Sequence, residues 1–106
     1  RMEKRRVCFS VSVTYNTTVE KLEKIPTIIK DIIVSKSDTI FERCHLKTLA
    51  DSSINFETVY YVRSSDYNKY MDIHHYVNIE ICKKFAEEKI EFAYPSRNIY
   101  LKDKPF

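Results

Sequence analysis

Apolar residues take every second position over residues 7–15 (Val7, Phe9, Val11, Val13 and Tyr15), with Cys8, Ser10, Ser12 and Thr14 between them. A period of two with β-branched and aromatic enrichment predicts a strand with one buried and one more polar face. The period then lengthens. Thr17 followed three residues later by Glu20 has the spacing of a capping box, in which each side chain satisfies a backbone N–H orphaned at a helix start. Leu22, Ile25, Ile29, Ile32 and Ile33 recur at helical spacing, and Glu20 and Lys24 stand as an exposed pair four apart. Pro26 interrupts this run by removing a helix hydrogen bond, so a kink or a restart is expected there, with the helix ending near Lys36.

Two strands are predicted next, over 39–49 and 54–63, joined by a turn at Asp51-Ser52-Ser53. In the second, Ile54, Phe56, Thr58, Tyr60 and Val62 fall on one face and Asn55, Glu57, Val59, Tyr61 and Arg63 on the other. The first is less regular, and Ile40, Cys44 and Leu46 are expected to share a face. Ser64-Ser65-Asp66 caps a long second helix reaching about Glu88, with Tyr70, Ile73, Val77, Ile81 and Phe85 along its apolar stripe and charges such as Glu80 and Lys84 elsewhere. A last strand is predicted over 94–101, broken at Pro95. The fold class is therefore α+β, in the order β-α-β-β-α-β. With right-handed crossovers this gives the ferredoxin-like arrangement, a four-stranded antiparallel sheet with both helices on one face.

At 106 residues the chain is one domain. Its 18 basic and 15 acidic residues nearly balance, whereas binding driven by phosphate contacts normally needs a larger, clustered excess. The one basic cluster, Arg1, Lys4, Arg5 and Arg6, reads as a solvated strand end. Cys8, Cys44 and Cys82 are odd in number and widely spaced, which gives neither a disulfide framework nor a CxxC motif and suits small core fillers in a reducing compartment. The chain has no glycine, which excludes P-loop and dinucleotide fingerprints and forces Asn, Asp, Ser or Lys into the turns. Residues 28–34 are apolar but broken by Lys30 and Asp31, far short of the roughly 20 residues a bilayer span requires. The basic start leads into an alternating strand and not into the apolar run of a signal peptide, so the fragment is expected to dissolve in water.

No catalytic, metal or cofactor site is expected. His74 and His75 are adjacent, about 100° apart on a helix, whereas a helical metal pair needs i,i+4 spacing. Cys44 and His45 are neighbours in a strand and face opposite sides. Glu87 and Glu88 sit at a solvated helix end. Among the eight tyrosines, Tyr60 and Tyr61 lie in a strand that lacks the basic-Gly-aromatic pattern of an RNA-binding sheet, so core and subunit interface account for the rings and no nucleic-acid partner is expected.

Five strings in order resemble the carboxy-terminal region of the mechanosensitive channel of small conductance family. Arg5-Arg6-Val7 leading to Val11-Ser12-Val13-Thr14-Tyr15-Asn16-Thr17 is similar to that family's R-R-x-x-F-x-x-x-V-T-Y-D-T strand. The run Leu22-Glu23-Lys24-Ile25-Pro26-Thr27-Ile28-Ile29-Lys30-Asp31-Ile32-Ile33 resembles its proline-bearing helix. Asp51-Ser52-Ser53-Ile54-Asn55-Phe56-Glu57 with Tyr60-Tyr61-Val62 looks like its central hairpin. Asp66-Tyr67-Asn68-Lys69-Tyr70-Met71-Asp72-Ile73 and Ile90-Glu91-Phe92-Ala93-Tyr94-Pro95 complete the set. Where the family usually has glycine, this chain has Ala50 and Lys89; a left-handed Lys89 would cost about 1 kcal/mol relative to glycine.

The resemblance implies a division into residues 1–4 as the end of a preceding β-domain, 5–101 as the ferredoxin-like cytosolic domain and 102–106 as a tail. It further implies a vestibule domain below a pore, on the cytoplasmic side of the inner membrane, in a homo-oligomer expected to be a heptamer. Such a channel opens under bilayer tension and releases ions and osmolytes in hypo-osmotic shock. It has no enzymatic role and no cofactor, and meets the membrane only through regions upstream of Arg1. The sheet face that the helices leave uncovered carries Cys8, Val59 and Tyr61, which are expected to be covered by a neighbouring domain or subunit. The alternative is a free-standing ferredoxin-like module that binds a small ligand or RNA.

Overall fold

The computed structural model describes residues 4–93. The strand predicted over 94–101, the tail 102–106 and all but the last residue of the 1–4 segment lie outside the described residues. The elements are β1 (Arg5–Val13), α1 (Val19–Val34), β2 (Thr39–Leu49), β3 (Ile54–Val62) and α2 (Tyr67–Glu87). β1 begins and ends two residues earlier than the hydrophobic alternation suggests. Arg5 and Arg6 join it because backbone pairing with Val62 and Tyr61 is indifferent to the polarity of their side chains.

The described sheet has three strands in the order β1-β3-β2, both pairings antiparallel. β1 and β2 are thus parallel and separated by β3, which is what a helical crossover followed by a hairpin produces. Beyond α2 the chain returns to the outer edge of β1. There Phe92 bridges Val13, the Thr14 N–H donates to the Glu91 carbonyl at 3.1 Å and the Ala93 N–H to the Ser12 carbonyl at 2.9 Å.

β2 explains its own irregular pattern. Its register against β3 shifts between Phe41 and Arg43 and again between Leu46 and Thr48, so Glu42 and Lys47 are extra residues at bulges. Each extra residue reverses the alternation. Cys44 and Leu46 therefore lie opposite Thr58 and Phe56, but Ile40 lies opposite Tyr61 on the other face, contrary to the shared face expected for the three.

Both helices pack on one face of the sheet. Their buried stripes, Ile25, Ile29, Ile32 and Ile33 from α1 and Ile73, Val77, Ile81 and Phe85 from α2, meet Val7, Val11, Val13, Cys44, Ile54, Phe56, Tyr60 and Val62 in one core. Thr58 is the one buried polar residue in this set of strands, and its hydroxyl donates to the Cys44 sulfur at 3.2 Å. Of the three cysteines only Cys44 is a core filler; Cys8 and Cys82 are exposed. Burial raises the Cys44 thiol above its ordinary value, so it packs as a neutral group.

The helix ends follow local chemistry. α1 is capped by Thr18 and not by Thr17: the Thr18 hydroxyl accepts from the Lys21 N–H at 3.3 Å, while the Thr17 hydroxyl is buried without a partner. The helix continues through Pro26 without restarting, because neighbouring turns and the buried isoleucines hold it. α2 starts at Asp66, whose carboxylate accepts from the Asn68 N–H at 3.0 Å. The expected i,i+4 ion pairs give way to others: Lys24 reaches Glu88 on the other helix at 3.5 Å, and Glu80 pairs with Lys83 at 3.3 Å.

α2 ends in a Schellman motif. The Ile90 N–H donates to the Phe85 carbonyl at 2.8 Å and the Lys89 N–H to the Ala86 carbonyl at 3.2 Å, with Lys89 at φ 61°. Ile90 and Phe85 both lie in the core, the apolar contact that accompanies this motif. By contrast, Ala50 does not adopt positive φ; the β2–β3 hairpin closes through its N–H to the Ser53 carbonyl at 2.8 Å. The second left-handed residue is Asp38, at φ 68°, which pairs with Lys69.

Two stability measurements check these assignments. Lys89→Gly is expected to stabilise the domain by about 1 kcal/mol in urea unfolding, because glycine enters the left-handed region without the Cβ clash. Thr18→Ala is expected to cost about 1 kcal/mol, and Thr17→Ala less, since only Thr18 caps the helix.

Candidate functional site

The open face of the sheet is the surface on which the sequence placed its candidate residues. Four cross-strand rows run over it from β1 through β3 to β2: Arg6, Tyr61 and Ile40; Cys8, Val59 and Arg43; Ser10, Glu57 and His45; Ser12, Asn55 and Thr48. Cys8 and Val59 are direct partners, and Tyr61 stands two residues further along β3 on the same face, so the structure brings the three together. Their surroundings differ. Cys8 is exposed, Tyr61 is half-buried with the Lys4 ammonium 5.2 Å from its ring centre, and Val59 is fully buried although no helix lies on this side.

Glu57 is the electrostatic centre of the face. Its carboxylate receives Arg43 Nη1 at 2.9 Å, Lys47 Nζ at 3.2 Å and, more weakly, the Cys8 thiol at 3.6 Å. Hydrogen bonds from Arg43 and then Lys47 hold the Glu57 carboxyl below its usual range, and the same bond to Glu57 raises Arg43. A smaller polar node lies one row on, where the Asn55 amide oxygen accepts from Ser12 at 2.6 Å and Ser53 at 3.0 Å. Alternation in β3 put Glu57 on this face, but its partners were hidden. Arg43 and Lys47 reach it only because the bulges re-aim β2.

This face joins a buried valine and a half-buried tyrosine to a charge cluster. The Cys8 thiol hydrogen-bonds the Glu57 carboxylate, and the Ser12 hydroxyl is bonded to the Asn55 amide oxygen. Cys44 and His45 face opposite sides of the sheet, His75 is exposed, and His74 packs on the helix side against Tyr60. Among the described residues no three His, Cys, Asp or Glu side chains are grouped as for a metal ion. No helix among them is long and apolar enough to cross a membrane. A depression of about 500 Å³ between the β1–α1 loop and the end of α2 is lined by Thr14, Asn16, Thr17, Lys89 and Glu91, which pair no nucleophile with a base.

Comparison with known proteins decides the identity. The family model described as the C-terminal part of the mechanosensitive ion channel MscS matches residues 7–92, which spans β1 to the return at Phe92. The chain belongs to the MscS family. Curated relatives agree: the MscS domain is 38% identical over 104 residues to the large-conductance mechanosensitive channel MscMJLR of Methanocaldococcus jannaschii, covering 93% of this chain and 29% of that protein. It is 34% identical over 100 residues to the small-conductance mechanosensitive channel MscMJ of the same organism, with the same coverage. The chain therefore spans under a third of these relatives. In fold, the MscS domain superposes on Arabidopsis thaliana MSL1 with a TM-score of 0.76 at 12% identity, covering 90% of this chain and 35% of that one.

The ion cluster gives a pH test. The Glu57 carboxyl is held below its ordinary 4.5, so the unfolded chain binds the proton more tightly than the folded one. Its contribution is present above that value and is lost as pH falls through the lower folded value. Glu57→Gln is expected to flatten the dependence of melting temperature on pH below about 4.5. A slope unchanged from the parent's would show that the cluster adds nothing.

Proposed function

We propose that this chain is the cytosolic vestibule domain of a mechanosensitive ion channel, with a structural and oligomerising role. The observation that carries the proposal is the family match over residues 7–92, joined to relatives that are themselves named mechanosensitive channels. The parent channel opens under membrane tension and passes ions and osmolytes in hypo-osmotic shock. The domain stands on the cytoplasmic side of the membrane, in a homo-oligomer that is a heptamer in the full-length protein. It catalyses nothing and needs no cofactor or nucleic acid. The sheet is of the ferredoxin-like kind, with β1, β3 and β2 as three of its strands and both helices on one face.

The open face, with Cys8, Val59 and Tyr61, is the surface covered by a neighbouring domain or subunit. A ring is built from heterologous contacts, one patch meeting a different patch on the neighbour. The rows described above suit such a contact. They mix a desolvated valine and a tyrosine with a charge cluster that fixes register more than it adds affinity.

Two experiments on the full-length parent test the proposal. The protein is expected to stay with the membrane fraction after a high-salt wash and to give suction-activated currents in excised patches. Recovery in the soluble fraction would overturn the channel reading and return the free-standing ligand- or RNA-binding module. For the interface, Cys8 and Cys82 are both exposed in this chain and serve as test and reference. In the assembled parent, maleimide labelling of Cys8 is expected to be slower than that of Cys82 by about tenfold or more. Equal rates would reject the open face as an interface.

A further inference from the structure

On the helix side of the sheet, away from the proposed interface, the first turns of α2 are fastened by an aromatic cluster centred on His74. The imidazole stacks on Tyr70, its neighbour one turn earlier, at 5.9 Å between ring centres and 17° between planes. It meets Phe9 of β1 edge-on at 5.3 Å and lies over Tyr60 of β3 at 6.2 Å. His74 Nδ1 and the Tyr60 hydroxyl are 2.9 Å apart. Arg5, the first residue of β1, completes the cluster with its guanidinium 5.1 Å from the Tyr70 ring centre and 5.7 Å from that of Tyr67.

The hydrogen bond has a direction that depends on the proton. With a neutral imidazole protonated on Nε2, Nδ1 accepts and the Tyr60 hydroxyl donates. Burial pushes the Tyr60 phenol well above its ordinary value, so it keeps that proton. An imidazolium must donate through Nδ1, and the bond reverses. The Tyr60 hydroxyl hydrogen then has no acceptor among the described residues, on a side chain that is fully buried. Leaving such a buried group unpaired is unfavourable, because it has lost its water without gaining a partner.

Among the described residues no counter-ion compensates. From β1 the groups facing His74 are Phe9 and, across the Tyr70 ring, Arg5; from β3 it is Tyr60. On its own helix, the neighbours one turn away are Tyr70, Met71, Val77 and Asn78. The charged groups of α2 nearest in sequence, Asp72 and the exposed His75, project from other sides of the helix. α1 meets α2 elsewhere, through Ser35 with Tyr76 and Lys24 with Glu88. Among the described residues of this cluster the formal charge is that of Arg5, which repels a second cation.

The geometry points to a proton-operated latch: protonation of His74 releases the amino-terminal half of α2, and with it Tyr67 and Tyr70, from Arg5 and Phe9 of β1 and from Tyr60 of β3. The carboxy-terminal half stays docked, held by Val77, Ile81 and Phe85 in the core and by the Schellman motif. Burial lowers the His74 imidazole from its ordinary 6.5, which agrees in sign. The unfolded or opened segment takes up the proton more readily. The latch is therefore closed above about 6.5 and is lost as pH falls through the lower value of the docked ring. This device does not depend on the channel reading and would act in any parent of the domain.

Native-state hydrogen exchange on this chain tests it, with rates corrected for the intrinsic effect of pH. Between about pH 7.5 and pH 5, protection of the amides of residues 70–76 is expected to fall by up to tenfold per pH unit in the titrating window, the limit for one proton. Protection of residues 81–87 is expected to stay constant. His74→Phe, which keeps a ring but cannot protonate, is expected to abolish the pH dependence. Its persistence in that variant, or its absence in the parent chain, would overturn the latch. A direct measurement guards against a variant that fails to fold. In the NMR titration of the parent chain, the His74 ring is expected to titrate below its ordinary 6.5, and a midpoint at or above that value would also overturn it.

Discussion

Burying β3 is the constraint from which the rest of the architecture follows. The strand is hydrogen-bonded along both edges, to β1 and to β2. Its even-numbered side chains from Ile54 to Val62 face the helices, and all five are buried. An uninterrupted row of that kind needs cover along its whole length, and both helices supply it from one side. β1 and β2 then have no choice but to be parallel flanks. The far side of β3 is left to side chains of the sheet itself, where Val59 is shielded within a polar face. The division is physical: one side of the sheet holds the fold together, and the other carries the Glu57 charge cluster.

A chain without glycine must absorb the strain of its turns elsewhere. Among the described residues it does so at Asp38 and Lys89, and each is tied to a neighbour that offsets part of the strain. The Asp38 carboxylate pairs with Lys69 and its carbonyl accepts from the Arg63 N–H at 2.8 Å, so the α1–β2 turn, the end of β3 and α2 are joined at one residue. The Lys89 carbonyl accepts from Lys21 Nζ at 3.2 Å, which connects the end of α2 to the start of α1. The strained residues are thus also the points at which the two helices are anchored to their surroundings.

The sequence was most legible where a period repeats without interruption. The apolar stripes of both helices and the alternation of β3 can be read residue by residue, because each buried row has a single spacing. Legibility failed where one residue changes the phase. The bulge at Glu42 moved Ile40 to the open face, and nothing in the composition of β2 marks the bulge, since it answers to the twist of the pair and not to a particular side chain. The choice of Thr18 over Thr17 as cap has a similar origin: both are competent, and only the path of the chain from β1 decides. On the open face, Cys8, Val59 and Tyr61 were identifiable by parity, but the Glu57 cluster that dominates their surroundings depends on β2 residues that parity misplaces or leaves unassigned. The His74 cluster was invisible because it joins β1, β3 and α2, three segments distant in sequence.

The two bulges have a consequence beyond register. β2 lies at the outside of the described sheet, and an outside strand of eleven residues with a regular ladder would be a template for another strand. Here the ladder is interrupted twice, with a charged side chain at each interruption, Glu42 and Lys47. A straight incoming strand finds only short stretches of correctly spaced donors and acceptors before it is thrown out of step. Copies of this chain crowded together are thereby discouraged from fusing edge to edge into a continuous sheet. They are left to meet through side-chain surfaces, which can be specific and can also come apart.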